Sequence, residues 1–358
     1  MARTISYACA VAEGLRQAAL RDPSVLFMAE GIDDPTAVFG TLSGLRDAIG
    51  DARVIEMPVA ENGLTGVAIG AAMLGKRVVL SFHRVEFALL AMEQIVNNAA
   101  KAHYASNGLH RAPIVIRLIV GRGWGQGPAH SQSLEAVFAH IPGLKVVMPA
   151  YPRDAKGLLV AAVEDDSPVV CIEHRWCHYV TGDVPEDYLS LPLDGPAVLR
   201  RGSDVTIVAT SYMTLEAMRA ADALRAIGCE AEIIDLRVVR PLVLGPIVDS
   251  VRRTHKLLAV DTGFRAFGVG AEICASVTEL AFDDLTCAPE RLGLPEHPTP
   301  SARSLIGDYY PSAATIVRAA GRMAEIDEAK IEDACTALAN ARGQLPLDVP
   351  DPFFKGPF

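Results

Sequence analysis

The stretch EMPVAENGLTGVAIGAAMLG, residues 56–75, decides the fold because it joins an apolar strand to a helix built of small residues. The strand is predicted over residues 53–57, Pro58 ends it, and the helix is predicted over residues 64–73. Glu61 therefore falls in the turn at the carboxyl end of a strand, where open parallel sheets bind their ligands. An acid at this place is also a common complement to the helix dipole. Position alone leaves both interpretations of Glu61 open.

Outward from this stretch, apolar runs alternate with helical patterns along most of the chain. The alternation is typical of parallel α/β sheets that are covered by helices on both faces. An amphipathic helix is predicted at residues 4–20, with Thr4 as its N-cap. In the first half we predict strands at 25–28, 77–82, 113–120, 144–148 and 169–173, and helices at 87–104, 134–140 and 155–164. In the second half we predict strands at 205–210, 230–236 and 256–260, and helices at 214–227, 243–253 and 269–280.

Composition divides the chain into two α/β domains. Proline, glycine and acidic residues interrupt the regular periods after residue 180, as they do in linkers. Three phenylalanines stand among prolines near the C-terminus and cannot form a core of their own, so this segment is expected to dock on another surface. The predicted units are a first domain at 1–183, a linker at 184–203, a second domain at 204–326, and a tail at 327–358 that begins as a polar helix.

The overall composition excludes several classes of function. With 358 residues and a formal net charge of -10, the chain lacks the basic face that binding to nucleic acid or to an anionic membrane requires. No apolar run reaches the roughly 18 residues of a membrane span, so we expect a soluble cytoplasmic protein. The 7 cysteines include no C-x-x-C pair and no metal-ligand spacing, which favours free thiols over zinc.

A glycine-rich segment, GRGWGQGPAHSQS at residues 121–133, follows a strong apolar strand. Its glycine spacing does not fit a dinucleotide fingerprint, and no Gly-Lys-Ser/Thr makes it a phosphate loop. His130 lies in this loop rather than on an apolar helix face, which favours a catalytic or substrate-binding role over a structural one. A histidine pair, at residues 174 and 178, has no further metal ligands beside it. It indicates a loop at a strand end rather than a metal site.

Taken together, six stretches resemble one known family. They are PVAENG at 58–63 with GAAM at 70–73, QIVNNAAK at 94–101, HSQS at 130–133, FAHIPGLKVVMP at 138–149 and IDLR at 234–237. The chain is similar, over about residues 1–325, to the beta subunit of the decarboxylating component of 2-oxo-acid dehydrogenase complexes, of which pyruvate dehydrogenase is one. The resemblance implies a pyrimidine-binding α/β domain for thiamine diphosphate, followed by a transketolase C-terminal-like domain.

The same resemblance implies roles for individual residues. The glutamate at the Glu61 position hydrogen-bonds the aminopyrimidine ring, and sharing its proton favours the imino form that can deprotonate the thiazolium carbon. His130 would face the 2-oxo acid and assist proton transfer or transfer of the acyl group to a lipoyl arm. Candidate cofactor-binding residues are Glu61, Arg84, Val85 and Phe87.

The resemblance also implies a site divided between chains. The sequence contains no Gly-Asp-Gly with a following paired Asn, the family's signature for Mg²⁺ and diphosphate, so an alpha subunit must supply it in an α2β2 heterotetramer. A lipoyl-bearing acyltransferase is the implied further partner. Relatives also hold a structural potassium ion on backbone carbonyls. The matching positions in this chain are Ile114, Ala162, Val163, Asp165 and Ser167.

One departure from the family pattern lies beside the cofactor position. Relatives carry a small polar residue and then an aromatic residue where this chain has Arg84 and Val85. Arg84 could point away or pair with Glu86, or its guanidinium could recognise an anionic group on an unusual substrate. Three alternatives to the pyruvate dehydrogenase-like function therefore stay open: an acetoin dehydrogenase-type subunit, a carbon-carbon lyase or ligase subunit, and a non-catalytic assembly or regulatory paralogue.

Overall fold

The computed structural model describes residues 2–123, 125–307 and 309–350, together with residues 354 and 356. Trp124 of the glycine-rich segment and Phe353 and Phe358 of the tail, on which the sequence predictions also drew, lie outside the described residues. The helices are α1 Tyr7–Arg21, α2 Leu45–Ile49, α3 Glu61–Met73, α4 Ala102–Ala105, α5 Gly127–His130, α6 Glu135–Ala139, α7 Pro152–Glu164, α8 Tyr212–Ala226, α9 Gly245–Thr254, α10 Val269–Ala281, α11 Ala313–Met323 and α12 Glu328–Arg342. The strands are β1 Ala2–Ser6, β2 Val25–Ala29, β3 Val54–Glu56, β4 Arg77–Phe82, β5 Ile114–Val120, β6 Lys145–Val147, β7 Val169–His174, β8 Thr181–Pro185, β9 Ala197–Arg200, β10 Val205–Ala209, β11 Ala231–Asp235, β12 Val238–Arg240, β13 Leu257–Phe264 and β14 Glu290–Leu294.

Two mostly parallel sheets confirm the predicted α/β class. The first has seven strands in the order β12-β6-β7-β5-β4-β2-β3, and only β12 runs antiparallel to its neighbour. The second has five strands in the order β14-β13-β10-β11-β9, with β9 antiparallel. A small third sheet pairs β1 with β8.

The central strand β5 shows why its sequence builds a two-sided sheet. All seven residues of IVIRLIV are buried, and alternate side chains point to opposite faces. Val115 and Ile119 join the core under helices α1 and α7, whereas Ile116 and Leu118 join the core under α3. Because neither face of this strand meets water, its residues are apolar except Arg117, whose charge is paired with that of Glu173 on β7.

Two strands do not follow the predicted domain boundaries. Strand β12 belongs by sequence to the second domain, yet it pairs with β6 at the edge of the first sheet. Strand β9 lies inside the segment 184–203, which the sequence predicts as an irregular linker, and it pairs with β11. Both are short edge strands whose pairing is set by distant partners, so local periodicity does not reveal them.

Two predicted helix starts are wrong. Thr4 does not cap the first helix, because residues 2–6 form β1 and the side chain of Ser6 accepts the cap hydrogen bond from Cys9 N at 3.2 Å. Helix α3 begins at Glu61 rather than at residue 64, since Leu64 N already donates to Ala60 O at 2.9 Å. Glu61 is thus the first residue of a helix.

The helix predicted at 87–104 is also divided. Residues 85–91 form a 3₁₀ helix, residues 94–99 a π-helical turn, and only α4 is regular. The Asn62 side chain donates to Leu90 O at 3.2 Å, so a group from α3 takes a carbonyl that a continuous α-helix would use internally. Within the described residues, no helix has both the length and the apolar composition needed to cross a membrane.

Candidate active site

Four neighbouring strands of the first sheet end side by side. Strands β2, β3, β4 and β5 are parallel, so their carboxyl ends share one edge. The residues that directly follow them are Glu30, Met57, His83 and Gly121. This edge is where a parallel α/β sheet is expected to bind a ligand, and Glu61 follows β3 at the start of α3.

Glu61 is buried, with 7% of its surface exposed. The first turn of its helix is fixed by Thr65, whose hydroxyl donates to the Glu61 backbone carbonyl at 2.6 Å. No hydrogen bond or ion pair joins its carboxylate to any other described residue. Neither carboxylate oxygen of Glu61 is fully buried, so this unpaired carboxylate is accessible to a ligand at the binding edge of the sheet.

Glu30, which the sequence reasoning missed, lies at the same edge. Burial raises the pKa of Glu30 above its usual value, and the nearby carboxylates of Glu61 and Glu56 raise it further. Its Oε1 atom is buried without a partner, whereas Glu56 is exposed and accepts backbone hydrogen bonds from Gly31 N and Asp33 N at 2.8 and 3.0 Å. Glu56 thus supports a loop, and Glu30 and Glu61 remain available. An acid directly after the buried strand VLFMA was the signal in the sequence.

Arg84 is buried at the end of β4, with only 4% of its surface exposed. Its Nη1 donates to the His83 carbonyl at 2.7 Å, and the guanidinium lies 5.0 Å from the centre of the Phe39 ring. Burial lowers the pKa of Arg84 to about 10, so the side chain stays charged at neutral pH. Val85 is fully buried in the apolar core, while Phe87 is partly exposed.

His130 and Glu86 form a pair that sequence reasoning did not predict. The Nδ1 atom of His130 contacts the Glu86 carboxylate, so Glu86 is engaged by the histidine and not by Arg84 in an ion pair. The His130 side chain keeps 43% of its surface exposed, and the Phe87 ring packs edge-on against it at 5.7 Å. A carboxylate on Nδ1 fixes the tautomer in which Nε2 can act on a ligand.

The glycine-rich loop brings Arg84 and His130 together. With the Gln126 amide oriented to satisfy both of its atoms, its oxygen accepts from Arg84 Nη2 at 3.0 Å and its nitrogen donates to the His130 carbonyl at 3.2 Å. A Cβ atom on Gly121 would lie 2.2 Å from that same carbonyl, which excludes any side chain there. The sequence-predicted residues Arg84, Phe87 and His130 therefore form one cluster.

Two of the five predicted potassium positions, Val163 and Asp165, already bind a cationic side chain of the protein. Arg77 Nη1 donates to the carbonyls of Val163 and Asp165, at 3.0 Å each. The other Arg77 nitrogen, Nη2, bonds Asp166 at 2.7 Å. Each of these carbonyls retains a second lone pair. Among the described residues no cluster of histidine, cysteine and acidic side chains is arranged to bind a metal ion.

The histidine pair at 174 and 178 is structural. His174 Nδ1 accepts from Trp176 N at 3.1 Å within a 3₁₀ turn at the end of β7. Burial lowers the pKa of His178 to about 4, and its ring stacks on Tyr7 at 5.5 Å. The predicted loop at a strand end is confirmed.

One surface beside the site has the character of an interface. Val67 on α3 and Leu74, which directly follows that helix, are 60% and 89% exposed, and a Cβ on Gly63 or Gly70 would meet no atom within 4 Å. Leu90 lies exposed on the neighbouring segment. An apolar helix face without Cβ atoms allows another backbone to approach closely.

Two family descriptions match the chain, one for each sheet. Residues 3–177 match the transketolase pyrimidine-binding domain, and residues 196–316 match the transketolase C-terminal domain.

Individual relatives cover most of the chain. The pyruvate dehydrogenase E1 component subunit beta-2, mitochondrial, of Oryza sativa subsp. japonica is 40% identical over 305 residues, which are 84% of this chain and 81% of the relative. The acetoin:2,6-dichlorophenolindophenol oxidoreductase subunit beta of Cupriavidus necator is 38% identical over 330 residues, covering 89% of this chain and 97% of the relative. Among solved structures, a split-gene transketolase described as an inactive beta4 tetramer has a TM-score of 0.71 at 22% identity, and the match covers 90% of this chain and 99% of that one. This last likeness shows the fold.

Proposed function

We propose the function that family membership implies, since this chain belongs to the family of E1 beta subunits of thiamine-diphosphate-dependent 2-oxo-acid dehydrogenases. In this function, Glu61 activates thiamine diphosphate in a site that an alpha subunit completes. The observation that carries the proposal is the Glu61 carboxylate, which is accessible, has no partner among the described residues and lies at the ligand-binding edge of the sheet. A ring nitrogen is a suitable partner for such a carboxylate.

The residues at this edge fit an aminopyrimidine. Glu61 would hold a proton at the ring nitrogen, and Glu30, whose pKa burial raises, is a second acid that can hold or release a proton nearby. When bound, thiamine diphosphate supplies the carbon nucleophile and the electron sink for decarboxylation. The chain's own contribution is to orient the ring and control its protons.

His130 is the group of this chain that we assign to the substrate side. Its exposed ring carries a carboxylate on Nδ1, so Nε2 can donate a proton to, or accept one from, an oxygen of the bound 2-oxo acid or the arriving acyl acceptor. Phe87 packs against this ring, and Gln126 links Arg84 to the His130 carbonyl.

An alpha subunit is needed to bind the diphosphate and its Mg²⁺. The sequence has no Gly-Asp-Gly signature for them, and the exposed apolar face of α3 offers a surface for a partner next to Glu61. These two features support an α2β2 assembly. A potassium ion is a further ligand that we propose for the carbonyls of Val163 and Asp165, where it would share them with Arg77.

We take pyruvate or a close analogue as the substrate and a lipoyl group as the acyl acceptor. The relative from Oryza sativa, a pyruvate dehydrogenase subunit, supports this choice. The acetoin-type alternative is favoured by the Cupriavidus necator relative, which matches over 97% of its own length. The two candidates differ in substrate but need the same Glu61 and the same partner.

Co-purification with the alpha subunit of the same organism tests the proposal. The complex, supplied with thiamine diphosphate and Mg²⁺, should release carbon dioxide from pyruvate when a lipoyl domain or a reducible dye is present, and this chain alone should not. Activity of the single chain would overturn the divided site. Dye reduction with acetoin but not pyruvate would select the second candidate, and binding of the alpha subunit without turnover of either would defeat both.

A further inference from the structure

Two arginines near the site are buried without an ion pair. Arg122 and Arg175 are 7% and 3% exposed, and neither lies within ion-pair distance of a carboxylate among the described residues. Aromatic rings surround them instead. The Arg122 guanidinium lies 4.0 Å from the centre of Tyr310 and 4.4 Å from Trp176. Such contacts stabilise a desolvated cation when the rings are held in place.

Arg175 has a similar environment, and part of it comes from the C-terminal tail. Its guanidinium lies 4.7 Å from the Phe39 ring, 5.1 Å from Tyr179 and 5.7 Å from Phe354. It also donates to the Gly356 carbonyl at 3.3 Å. The Phe354 ring packs edge-on against Trp176 at 6.3 Å. The end of the chain thus covers the turn that follows β7.

The tail is held along its whole described length. Arg342 at the end of α12 donates to the carbonyls of Pro346 and Val349 at 2.6 Å each. Asp348 is buried and pairs with Arg303 of the second domain at 2.9 Å. A Cβ on Gly123 would lie 2.7 Å from the Asp348 side chain, so the tail packs directly against the glycine-rich loop.

These contacts lead to the active centre by two short routes. Through side chains, Phe354 packs on Arg175, Arg175 on Phe39, and Phe39 on Arg84. Through the loop, Asp348 packs on Gly123, whose carbonyl accepts from Gln126 N at 3.1 Å, and Gln126 bonds both Arg84 and His130. Both routes end at Arg84, and the second also reaches His130.

We propose that Asp348, Phe354 and Gly356, in the segment after Gly343, hold Arg84 and the His130 loop in position from outside the active centre and thereby determine which 2-oxo acid is accepted. This inference rests on the proposed function for the identity of the substrate, but not for the contacts. The segment lies beyond residue 316, where the family match ends, so relatives that lack it would leave this side of the site to other residues. Asp348 and Phe354 act here as positioning residues.

The test compares three variants in the full assembled complex: truncation after Gly343, Phe354→Ala, and the control Leu347→Ala, which removes an exposed side chain of the same tail. Initial rates with pyruvate and with the bulkier 4-methyl-2-oxovalerate give kcat and KM for each. We expect truncation and Phe354→Ala to change the ratio of the two kcat/KM values at least tenfold, with kcat altered as well as KM, and Leu347→Ala to stay within twofold of the wild type.

Hydrogen exchange supplies a readout that does not depend on turnover. Truncation after Gly343 and Phe354→Ala should each speed amide exchange in peptides that cover residues 121–133 and 175–178. Leu347→Ala should leave the exchange of these peptides unchanged. Unchanged exchange in these peptides would overturn the positioning role, and an unchanged substrate ratio would overturn the role in specificity. A wild-type complex inactive towards all 2-oxo acids would defeat the proposed function instead, while the exchange rates would still decide whether the tail orders the loop.

Discussion

The Nδ1 atom of His130 contacts the Glu86 carboxylate, although 44 residues separate the two along the chain. Helix α5 provides the histidine and the 3₁₀ segment after β4 provides the acid, so the pair exists only because the glycine-rich loop folds back over that segment. Glu86 is nearly buried, whereas the histidine is open on one side. Glu86 therefore orients the accessible imidazole of His130 from its buried side.

Replacing Glu86 with Gln should slow acyl transfer while leaving cofactor binding intact. An amide has no charge with which to fix the imidazole tautomer, and loss of such a supporting group typically costs about 10–100-fold. Rates with a lipoyl-domain acceptor and with a dye acceptor would be compared. Glu93→Gln, which alters an exposed acid two residues beyond that 3₁₀ segment, is the control. Equal losses with both acceptors would contradict a role confined to transfer.

Replacing Glu61 with Gln should abolish turnover without unfolding the chain. The amide nearly matches the carboxylate in size but cannot hold the proton in the same way, and removal of a general acid–base group costs about 10²–10⁴-fold. Carbon dioxide release by the complex and its thermal midpoint would both be measured. Activity within tenfold of the wild type would remove Glu61 from proton control.

Replacing Glu173 with Gln should strongly destabilise the first domain. Glu173 and Arg117 are both fully buried and form two hydrogen bonds, at 2.6 and 3.0 Å, and this pairing outweighs burial to lower the pKa of Glu173 to about 2. Removing one partner of a buried pair costs about 3–5 kcal/mol, because the other charge is left uncompensated. Chemical denaturation would give the change in unfolding free energy.

An exposed pair provides the matched control for that measurement. Arg318 and Glu332 make two hydrogen bonds of similar length, at 2.9 and 3.0 Å, on the surfaces of α11 and α12. Glu332→Gln should leave the free energy of unfolding almost unchanged, because solvent screens an exposed ion pair. A loss as large as that for Glu173→Gln would mean that burial is not the cause.

Asp235 should make the protein less stable as the pH rises. Burial, and then the neighbouring Asp154, raises the pKa of Asp235 to about 8, whereas an unfolded aspartate titrates near about 3.9. The folded state therefore holds the extra proton between these values, so the stabilisation is complete below about pH 4 and is lost as the pH rises to about 8. The slope from one proton is at most about 1.4 kcal/mol per pH unit.

Asp235→Asn tests this dependence directly. Asparagine cannot ionise and can still accept the hydrogen bond that Thr214 donates at 3.0 Å. Unfolding midpoints at pH 5, 7 and 9 should fall less steeply for the variant than for the wild type. Parallel curves would show that Asp235 is not protonated in the folded chain.

Sequence reasoning predicted what depends on local pattern and missed what depends on distant contacts. The alternation of apolar runs predicted the two sheets, and the turn after β3 led to Glu61. Neither the pairing of Glu86 with His130 nor that of β12 with β6 has a local signal, because each joins residues remote in sequence. Glu30 did have one, as an acid at a strand end, but the glycine-rich and acidic loop after it obscured that signal.

The tail shows the same limit in a different form. Its phenylalanines and prolines predicted that it docks on a surface, and in the described part Phe354 contacts Trp176 and Arg175. The surface lies on its own chain, and no pattern in the tail indicates that choice. A buried arginine beside aromatic residues cannot be distinguished in sequence from an exposed one.

Strand β12 has a consequence for how the protein is made. It is the edge strand of the first sheet, but it is encoded more than fifty residues after β8, the last strand of the predicted first domain. A ribosome must therefore have released residue 240 before the first sheet can close. Until then the outer edge of β6 is open to any other extended segment, so the period of translation between these two strands is when the nascent chain is most exposed to mispairing.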